Sequence, residues 1–276
     1  CPYCENWHSS LDYLEYIGEH PYTQRPVWEK EKVGLSTELF LDRTKTAGSR
    51  IAAIEEETIT DEEVGVSWDT KAEDWDKRYD EYGDRNRKYQ SDPVLFKLLG
   101  DISGLTILDA GCGAGYLCRL LAKRGAKMVG VENSRRFHEM ALEYERKEPL
   151  DIIYHHGTIS SMPHLQNESF DAIVSNYVLM DCRDYKGAVK EFARVLKSGG
   201  IAVAVISHPC FSTPGYRWIG IPSDTQRREE RAGWVVDNYF LRCCFEDTWG
   251  DFKTPFLSFH RTLTDYFQTF KENSFN

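Results

Sequence analysis

Short apolar runs alternate with segments of helical periodicity through the middle of the chain. Each run is short and mostly apolar, with many β-branched residues, which predicts a buried strand. The runs occupy residues 106–108, 128–131, 151–155, 170–175 and 201–207. The last run is apolar throughout, which predicts burial on both of its faces. Because strands that alternate with helices favour right-handed crossovers, the expected fold class is α/β, with a doubly wound, mostly parallel sheet.

Capping residues and helical spacing place the helices between and around these strands. Asp92 and Pro93 are expected to end an aromatic, helix-rich region and to precede a helix at residues 94–99. Asn133 and Ser134 can cap a helix that runs to about residue 147. Further helices are expected at residues 184–196, followed by a glycine cap and turn at 197–200, and at residues 260–271.

A glycine-rich loop follows the first strand. From Asp109 onward the sequence has the form D-x-G-x-G-x-G, with Gly111, Gly113 and Gly115, and a helix is expected from Tyr116. Glycines let the backbone turn sharply and let a ligand approach without a Cβ in the way. The loop amides and the helix N-terminus would face that ligand. This strand, loop and helix therefore predict a nucleotide-binding site.

The acids on either side of the loop narrow the choice of nucleotide. Glu132 ends the second strand, where a carboxylate can accept hydrogen bonds from both hydroxyls of a ribose. Asp109 would repel a pyrophosphate but could bind the ammonium of an amino acid. A dinucleotide fingerprint, G-x-G-x-x-G, would need a glycine where Tyr116 stands. A nicotinamide-dependent dehydrogenase is therefore the less favoured alternative for this fold.

With Asp109 and Glu132 flanking three glycines, the sequence resembles the class I S-adenosylmethionine-dependent methyltransferases. The resemblance covers about residues 67–276 and implies a Rossmann-like fold with S-adenosylmethionine as cofactor and S-adenosylhomocysteine as product. Residues 207–211 and 259–263 resemble a branch of small soluble methyltransferases of uncharacterised substrate. The residues implied to contact the cofactor are Tyr89, Asp109, Gly111, Cys112, Gly113, Gly115, Tyr116, Leu117, Glu132, Asn133, Thr158, Ile159, Asn176 and Tyr177.

Several of these positions follow the predicted strands directly. Asp109, Glu132, Thr158, Asn176 and His208 each stand at the C-terminal end of a strand or in the loop after it. Ligands of open α/β sheets bind at that edge, so we expect the five side chains to share one site. Through the resemblance, Arg87 joins Tyr89 as a candidate contact to the methionine carboxylate. Helix packing is the open alternative for both.

The flanking segments predict the domain organisation. Residues 1–66 form an N-terminal extension of unclear role, and residues 67–276 form the methyltransferase domain. Within it, residues 207–258 are a long aromatic insertion that we expect to form a substrate lid. The resemblance calls for two more strands after residue 276, so a C-terminally truncated domain is expected. Cys1 and Cys4 could form a redox pair or a zinc site, but incidental cysteines are favoured.

Charge and cysteine content indicate the partners and the compartment. The net charge of −10 counts against nucleic acid as a partner and favours a small-molecule substrate. No apolar run approaches the ~20 residues of a membrane span, and no signal peptide is visible. Eight cysteines do not form a disulfide scaffold in a chain of this length, so a cytoplasmic protein with reduced thiols is expected. No metal site and no oligomeric state is predicted.

Methyl transfer needs a nucleophile held in line with the bond to sulfur, and a base where that nucleophile carries a proton. His208 is the first candidate for the base, and His260 is the second. Tyr177 is a candidate to border the transferred methyl group, and a place in the wall of the cofactor pocket is the open alternative. Cys112 is interpreted as packing of the loop.

The expected reaction is methylation of a small-molecule oxygen, nitrogen or sulfur nucleophile. Methylation of RNA or protein, with the N-terminal segment as recognition module, is one alternative. A scaffold that binds the cofactor without turnover is another.

Overall fold

The structure is a computed structural model and describes residue 54 and residues 58–214, 216–219, 233–247 and 252–276. Its centre is a parallel sheet with the strand order β3-β2-β1-β4-β5. The strands are β1 Thr106–Ala110, β2 Lys127–Glu132, β3 Ile153–His156, β4 Phe170–Asn176 and β5 Leu196–Val205. The chain order reverses between β1 and β4, which is where such sheets bind ligands. The predicted fold class is confirmed.

Helices cover both faces of the sheet because side chains of each strand alternate between them. On β1, Ile107 packs into one apolar cluster and Leu108 into the other, and both are fully buried. The Ile107 face is covered chiefly by α3 Asp92–Leu99 and α4 Tyr116–Ala122, and the Leu108 face by α6 Tyr185–Val195 and α7 Leu263–Glu272. The remaining helices are α1 Asp61–Asp69, α2 Ala72–Asp76 and α5 Arg135–Lys147.

Helix α1 crosses residue 66, where the sequence analysis placed the end of the N-terminal extension. The acidic run at its start is a first turn with a capping box: the Thr60 hydroxyl accepts from the Glu63 amide at 3.1 Å, and the Glu63 carboxylate accepts from the Thr60 amide at 2.7 Å. Trp68 of this helix packs against Phe137 of α5. Residues 58–66 therefore pack with the sheet-bearing part of the chain, while Cys1 and Cys4 lie outside the described residues.

Asp92 and Pro93 do not separate two elements. A π-helical turn, Arg87–Ser91, runs directly into α3, and Pro93 lies in the first turn of that helix.

Strand β5 departs from the prediction in both length and burial. Helix α6 ends at Val195, and residues 197–200, predicted as a cap and turn, form an irregularity within β5. The predicted burial on both faces is wrong: Ile201 is 39% exposed. In the described residues β5 pairs only with β4, so its other side lacks the cover that a central strand has.

The segment after β5 contains short strands as well as loops. A 3-10 turn, Pro209–Phe211, is followed by β6 Arg217–Ile219 paired with β7 Gly233–Val235, and by β8 Cys243–Asp247 paired with β9 Phe256–His260. Helix α7 begins at Leu263, three residues later than predicted, because Thr262 caps it. In the described ranges no helix is both long enough and apolar enough to cross a membrane.

The loop after β1 rests on β2 at Gly130. A Cβ at that position would lie 2.7 Å from Cys112 Sγ and 2.8 Å from Tyr154 Cδ1. We expect Gly130→Ala to lower the free energy of unfolding by about 1–3 kcal/mol, since overpacking displaces well-packed neighbours. Urea unfolding measures this as a lower midpoint at an unchanged slope. An unchanged midpoint would contradict the close packing of the loop on β2.

Candidate active site

A cavity of about 490 Å³ lies at the carboxyl edge of the sheet. The ends of three strands and the loops after four strands line it: Asp109 in β1 and the loop after it, Glu132 at the end of β2 and Asn133 after it, Thr158 and Ile159 after β3, and Asn176 at the end of β4 and Tyr177 after it. The topology brings these residues together because parallel strands present their carboxyl ends at one edge. Of the five strand-end positions expected to share a site, all but His208 do.

Gly111 and Gly113 of the loop are suited to glycine for different physical reasons. At Gly111, with φ +85°, a Cβ would collide with the side chain of Val178. At Gly113, with φ +55°, a Cβ would meet nothing within 4 Å, and the residue lines the cavity. The first position is thus required by packing between the loops after β1 and β4. The second leaves the backbone open to close approach by a ligand.

Asp109 is a buried carboxyl group with few partners. It is 2% exposed, and its Oδ2 accepts a hydrogen bond from Cys118 Sγ at 3.3 Å. Burial raises the pKa of Asp109 to about 7, against the Cys118 hydrogen bond, and the nearby Glu132 carboxylate raises it further. A ligand ammonium beside Asp109 would favour the charged carboxylate. This is the role that the sequence predicts for it.

Glu132 is held by the backbone on both sides. Its Oε2 accepts from the Gly113 amide at 2.8 Å and its Oε1 accepts from the Ser134 amide at 2.7 Å. Burial raises its pKa, and these hydrogen bonds oppose the shift. Each carboxylate oxygen keeps a further acceptor site. The group is therefore oriented and can still accept hydrogen bonds from a pair of hydroxyls.

A buried polar network was not foreseen from the sequence. The Asn176 amide donates to Tyr116 Oη at 2.8 Å and to Asp92 Oδ1 at 3.2 Å, and the Tyr116 hydroxyl contacts the same carboxylate at 3.4 Å. Burial raises the pKa of Asp92, while the Asn176 hydrogen bond lowers it. In the sequence, Asp92 was interpreted only as a helix boundary, so its contact with Asn176 and Tyr116 was not predicted. The network fixes Asn176 and Tyr116 in the cavity wall.

Of the two residues in the π-helical turn, Arg87 reaches the cavity and Tyr89 does not. Arg87 donates to Asp84 at 2.7 Å and its guanidinium lies 4.9 Å from the centre of the Tyr177 ring. Tyr89 is 70% exposed and is not part of the cavity wall. The two side chains leave the turn in different directions. Tyr89 therefore does not lie at the cofactor side of the cavity, where the prediction placed it. Arg87 stays a candidate contact to the methionine carboxylate.

The two histidines proposed as bases lie outside the cavity wall. His208 is exposed and caps the 3-10 turn, where its Nδ1 accepts from the Cys210 amide at 3.3 Å. His260 ends β9, is 2% exposed, and its Nε2 lies 2.8 Å from the Tyr239 carbonyl oxygen. Each histidine ring therefore contacts the backbone of the fold and does not reach the cavity. Tyr177 does line the cavity, with a left-handed backbone at φ +60°.

The rest of the wall comes from residues that the sequence analysis left unassigned. Asp181 follows β4, while Tyr216, Phe245 and Asp247 come from the segment after β5, and Trp68 comes from α1. The many aromatic residues of the segment after β5 predicted a substrate lid. Nothing in the sequence pattern distinguished the aromatic residues that line the cavity from those that only pack against the rest of the chain. Cys112 and Leu117, both predicted to contact the cofactor, line the cavity as well.

The residues present fit S-adenosylmethionine. Within the described chain, Asn176 Oδ1 and Arg87 Nε are buried in the wall without a hydrogen-bond partner. A buried polar atom of this kind costs free energy unless a ligand or water satisfies it. An acid for the ammonium, an arginine for the carboxylate, an acid for the ribose and an open glycine are all present at one site.

The buried acid predicts an unusual dependence of stability on pH. Folding raises the Asp109 pKa from 3.8 to about 7, so between these values the folded chain keeps a proton that the unfolded chain has released. The contribution of Asp109 to stability therefore falls as the pH rises through that window. We expect Asp109→Asn to raise the melting temperature of the ligand-free protein by a few degrees at pH 8, and much less near pH 4. Differential scanning calorimetry at the two pH values measures this. An equal effect at both would contradict the assignment.

Comparison with known proteins agrees with this geometry. Residues 108–204 match the family described as a methyltransferase domain. A ubiquinone biosynthesis O-methyltransferase of Alkalilimnicola ehrlichii is 28% identical over 159 residues, which are 56% of this chain and 60% of that protein. A demethylmenaquinone methyltransferase of Lactococcus lactis subsp. lactis is 34% identical over 41% of this chain and 46% of that protein. The chain thus spans about half the length of the curated relatives it matches.

Two crystal structures share the fold. An S-adenosylmethionine dependent methyltransferase from Mesorhizobium loti has a TM-score of 0.57 and 25% identity, over 67% of this chain and 80% of that one. A Listeria monocytogenes protein assigned to the same class has a TM-score of 0.55 and 28% identity, over 67% and 83%. The strand order, the glycine loop between two acids and these likenesses lead to one conclusion: the fold is that of the class I S-adenosylmethionine-dependent methyltransferases, and residues 108–204 match their methyltransferase domain.

Proposed function

We propose that this protein transfers a methyl group from S-adenosylmethionine to a small-molecule nucleophile. The observation that carries the proposal is the set of residues that line the cavity. It begins at the glycine loop, Asp109 and Glu132, and it extends beyond them between Trp68, Phe245 and other aromatic residues. The first part holds the groups that suit the cofactor, and the second part leaves room for an acceptor.

Each residue of the first part has a task in binding. Asp109 would hold the ammonium and Arg87 the carboxylate, while Glu132 would accept from the ribose hydroxyls. Thr158 and Ile159 would border the base. When bound, the cofactor supplies an electrophilic methyl group on a sulfonium sulfur, so orientation and exclusion of water are the main demands on the chain.

The relatives favour a small acceptor, and only one of the two has a name that specifies an accepting atom, oxygen. One curated protein is named a ubiquinone biosynthesis O-methyltransferase and the other a demethylmenaquinone methyltransferase, and both names refer to methylation of a small molecule. The net charge of −10 also disfavours RNA. Oxygen, nitrogen and sulfur nucleophiles all remain within the proposal.

We propose that the described part of residues 207–258 forms the acceptor side of the site. Phe211, Tyr216, Phe245 and Phe256 of this segment line the cavity. A lid of this kind would exclude water from the methyl group. Cys112, Cys118, Cys182 and Cys210 are thiols without a disulfide, which supports a reducing, cytoplasmic location.

Cofactor binding tests the first part of the site. We expect Glu132→Ala to weaken both S-adenosylmethionine and S-adenosylhomocysteine by about 10- to 100-fold, since the two share a ribose and hydrogen bonds to charged groups contribute roughly 1.5–3 kcal/mol. Asp109→Ala should weaken S-adenosylmethionine as well. Isothermal titration calorimetry measures the dissociation constants, with the exposed Glu272→Ala as control. Unchanged affinity in either variant would refute the role assigned to that residue.

Methyl transfer tests the second part. Incubation of the protein and isotopically labelled S-adenosylmethionine with a metabolite extract should place label in a compound of low molecular mass, identified by mass spectrometry. Label in RNA or protein instead would contradict the small-molecule assignment. Cofactor binding without label in any fraction would indicate a scaffold that binds the cofactor without turnover.

A further inference from the structure

The acids of the cavity wall are more numerous than the cofactor requires. Three of them have partners within the chain: Asp84 pairs with Arg87 at 2.7 Å, Asp61 pairs with Arg183 at 3.0 Å, and Asp76 accepts from the Tyr144 hydroxyl at 2.7 Å. The proposed function assigns Asp109 and Glu132 to the cofactor.

Two acids of the described wall remain, Asp181 and Asp247. Asp247 accepts a hydrogen bond from the Tyr216 hydroxyl at 3.1 Å. For the Asp181 carboxylate, the described part of the chain provides no hydrogen bond and no ion pair within 4 Å. The Asp181 side chain is therefore a carboxylate in the wall that neither the fold nor the cofactor uses.

Backbone geometry determines where Asp181 lies. Tyr177, the first residue after β4, has a left-handed backbone, and the Asp181 amide then donates to the Val178 carbonyl at 2.8 Å to close a turn. This turn lies over the same edge of the sheet as the glycine loop, because Val178 packs against Gly111. Burial raises the pKa of Asp181 to about 7, even though Arg261 and Arg87 lie near enough to lower it.

Aromatic rings and carboxylates dominate the acceptor side. The ring-bearing residues of this wall are Trp68, Phe211, Tyr216, Phe245, Phe256 and Phe259. Of the two arginines in the described wall, Arg87 is assigned to the cofactor carboxylate and Arg183 pairs with Asp61. Among the described residues of the wall, an anionic acceptor, or a phenolate formed from a phenol, would thus meet carboxylates and no unassigned cation. An ammonium group would gain from both a carboxylate and the faces of the rings.

We propose that the methyl acceptor is an amine and that Asp181 binds its ammonium group and removes one proton from it. The inference rests on the proposed function of this site. It makes Asp181 the catalytic base, a role for which the sequence suggested His208 or His260.

The proton and electron changes balance. One N–H bond of the ammonium breaks, its proton passes to an Asp181 oxygen, and the nitrogen keeps the electron pair. The freed pair forms the new N–C bond while the electrons of the C–S bond leave with sulfur, which gives the methylated ammonium and S-adenosylhomocysteine. Asp181 releases its proton to solvent when the product leaves.

The test identifies the atom of the acceptor that receives the labelled methyl group. A bacterial metabolite extract is divided by cation exchange at pH 7 and incubated with the protein and labelled S-adenosylmethionine. We expect label in the cationic fraction, with NMR placing the methyl group on nitrogen. For that acceptor, Asp181→Asn should lower kcat/KM at least tenfold and leave the dissociation constant of S-adenosylmethionine unchanged, while Asp181→Glu should retain part of the activity.

Asp237→Asn is the control, because it removes a carboxylate from the segment after β5 at a position outside the cavity wall. Thermal unfolding of all variants shows whether they are folded. Label on oxygen or sulfur would overturn the amine inference and leave the proposed function intact. Label on nitrogen with Asp181→Asn within twofold of the natural protein would overturn the role of Asp181. Cofactor binding without label in any fraction would overturn the proposed function and this inference together.

Discussion

One buried carboxylate connects the elements on which the site depends. Glu132 at the end of β2 accepts from the amide of Gly113 in the loop after β1 and from the amide of Ser134 at the start of α5. Two segments of backbone with otherwise unsatisfied amides are thereby fixed relative to the sheet. Ser134 in turn caps α5 through the Phe137 amide at 3.1 Å. The loop conformation and the cofactor-binding carboxylate are thus a single unit, so neither can change without the other.

The same region is unfavourable for stability in the absence of ligand. Asp109, Asp92 and Glu132 are all less than 10% exposed, and burial raises the pKa of each. Buried carboxyl groups with incomplete partners destabilise a fold, and they are retained where a ligand supplies what the fold does not. The sheet compensates through its apolar faces, where Ile107, Leu108 and Val174 are fully buried.

Local signals in the sequence were enough for the sheet and for the cofactor side of the site. Apolar runs gave the strand positions, and Ser134 and the glycine loop marked helix starts that the structure confirms. Features that depend on distant partners were not predictable in this way. The exposure of Ile201 depends on the absence of a second neighbour for β5 in the described sheet. His260 looked like part of a helix because its place in β9 is set by pairing with Cys243, seventeen positions earlier.

The acceptor side shows why sequence motifs stop short of the substrate. Its walls come from α1, from the turn after β4 and from β8 and β9, and no short motif connects Trp68, Asp181 and Phe245. The cofactor side is built from consecutive strand ends, so that chain order and spatial order coincide. Since fold alone does not determine function, the two sides can vary independently. Asp181 lies where they meet: its turn packs on the glycine loop through Val178, and its carboxylate faces the cavity that the aromatic segment completes. A change at this one position would alter the acceptor without disturbing the unit that holds the cofactor.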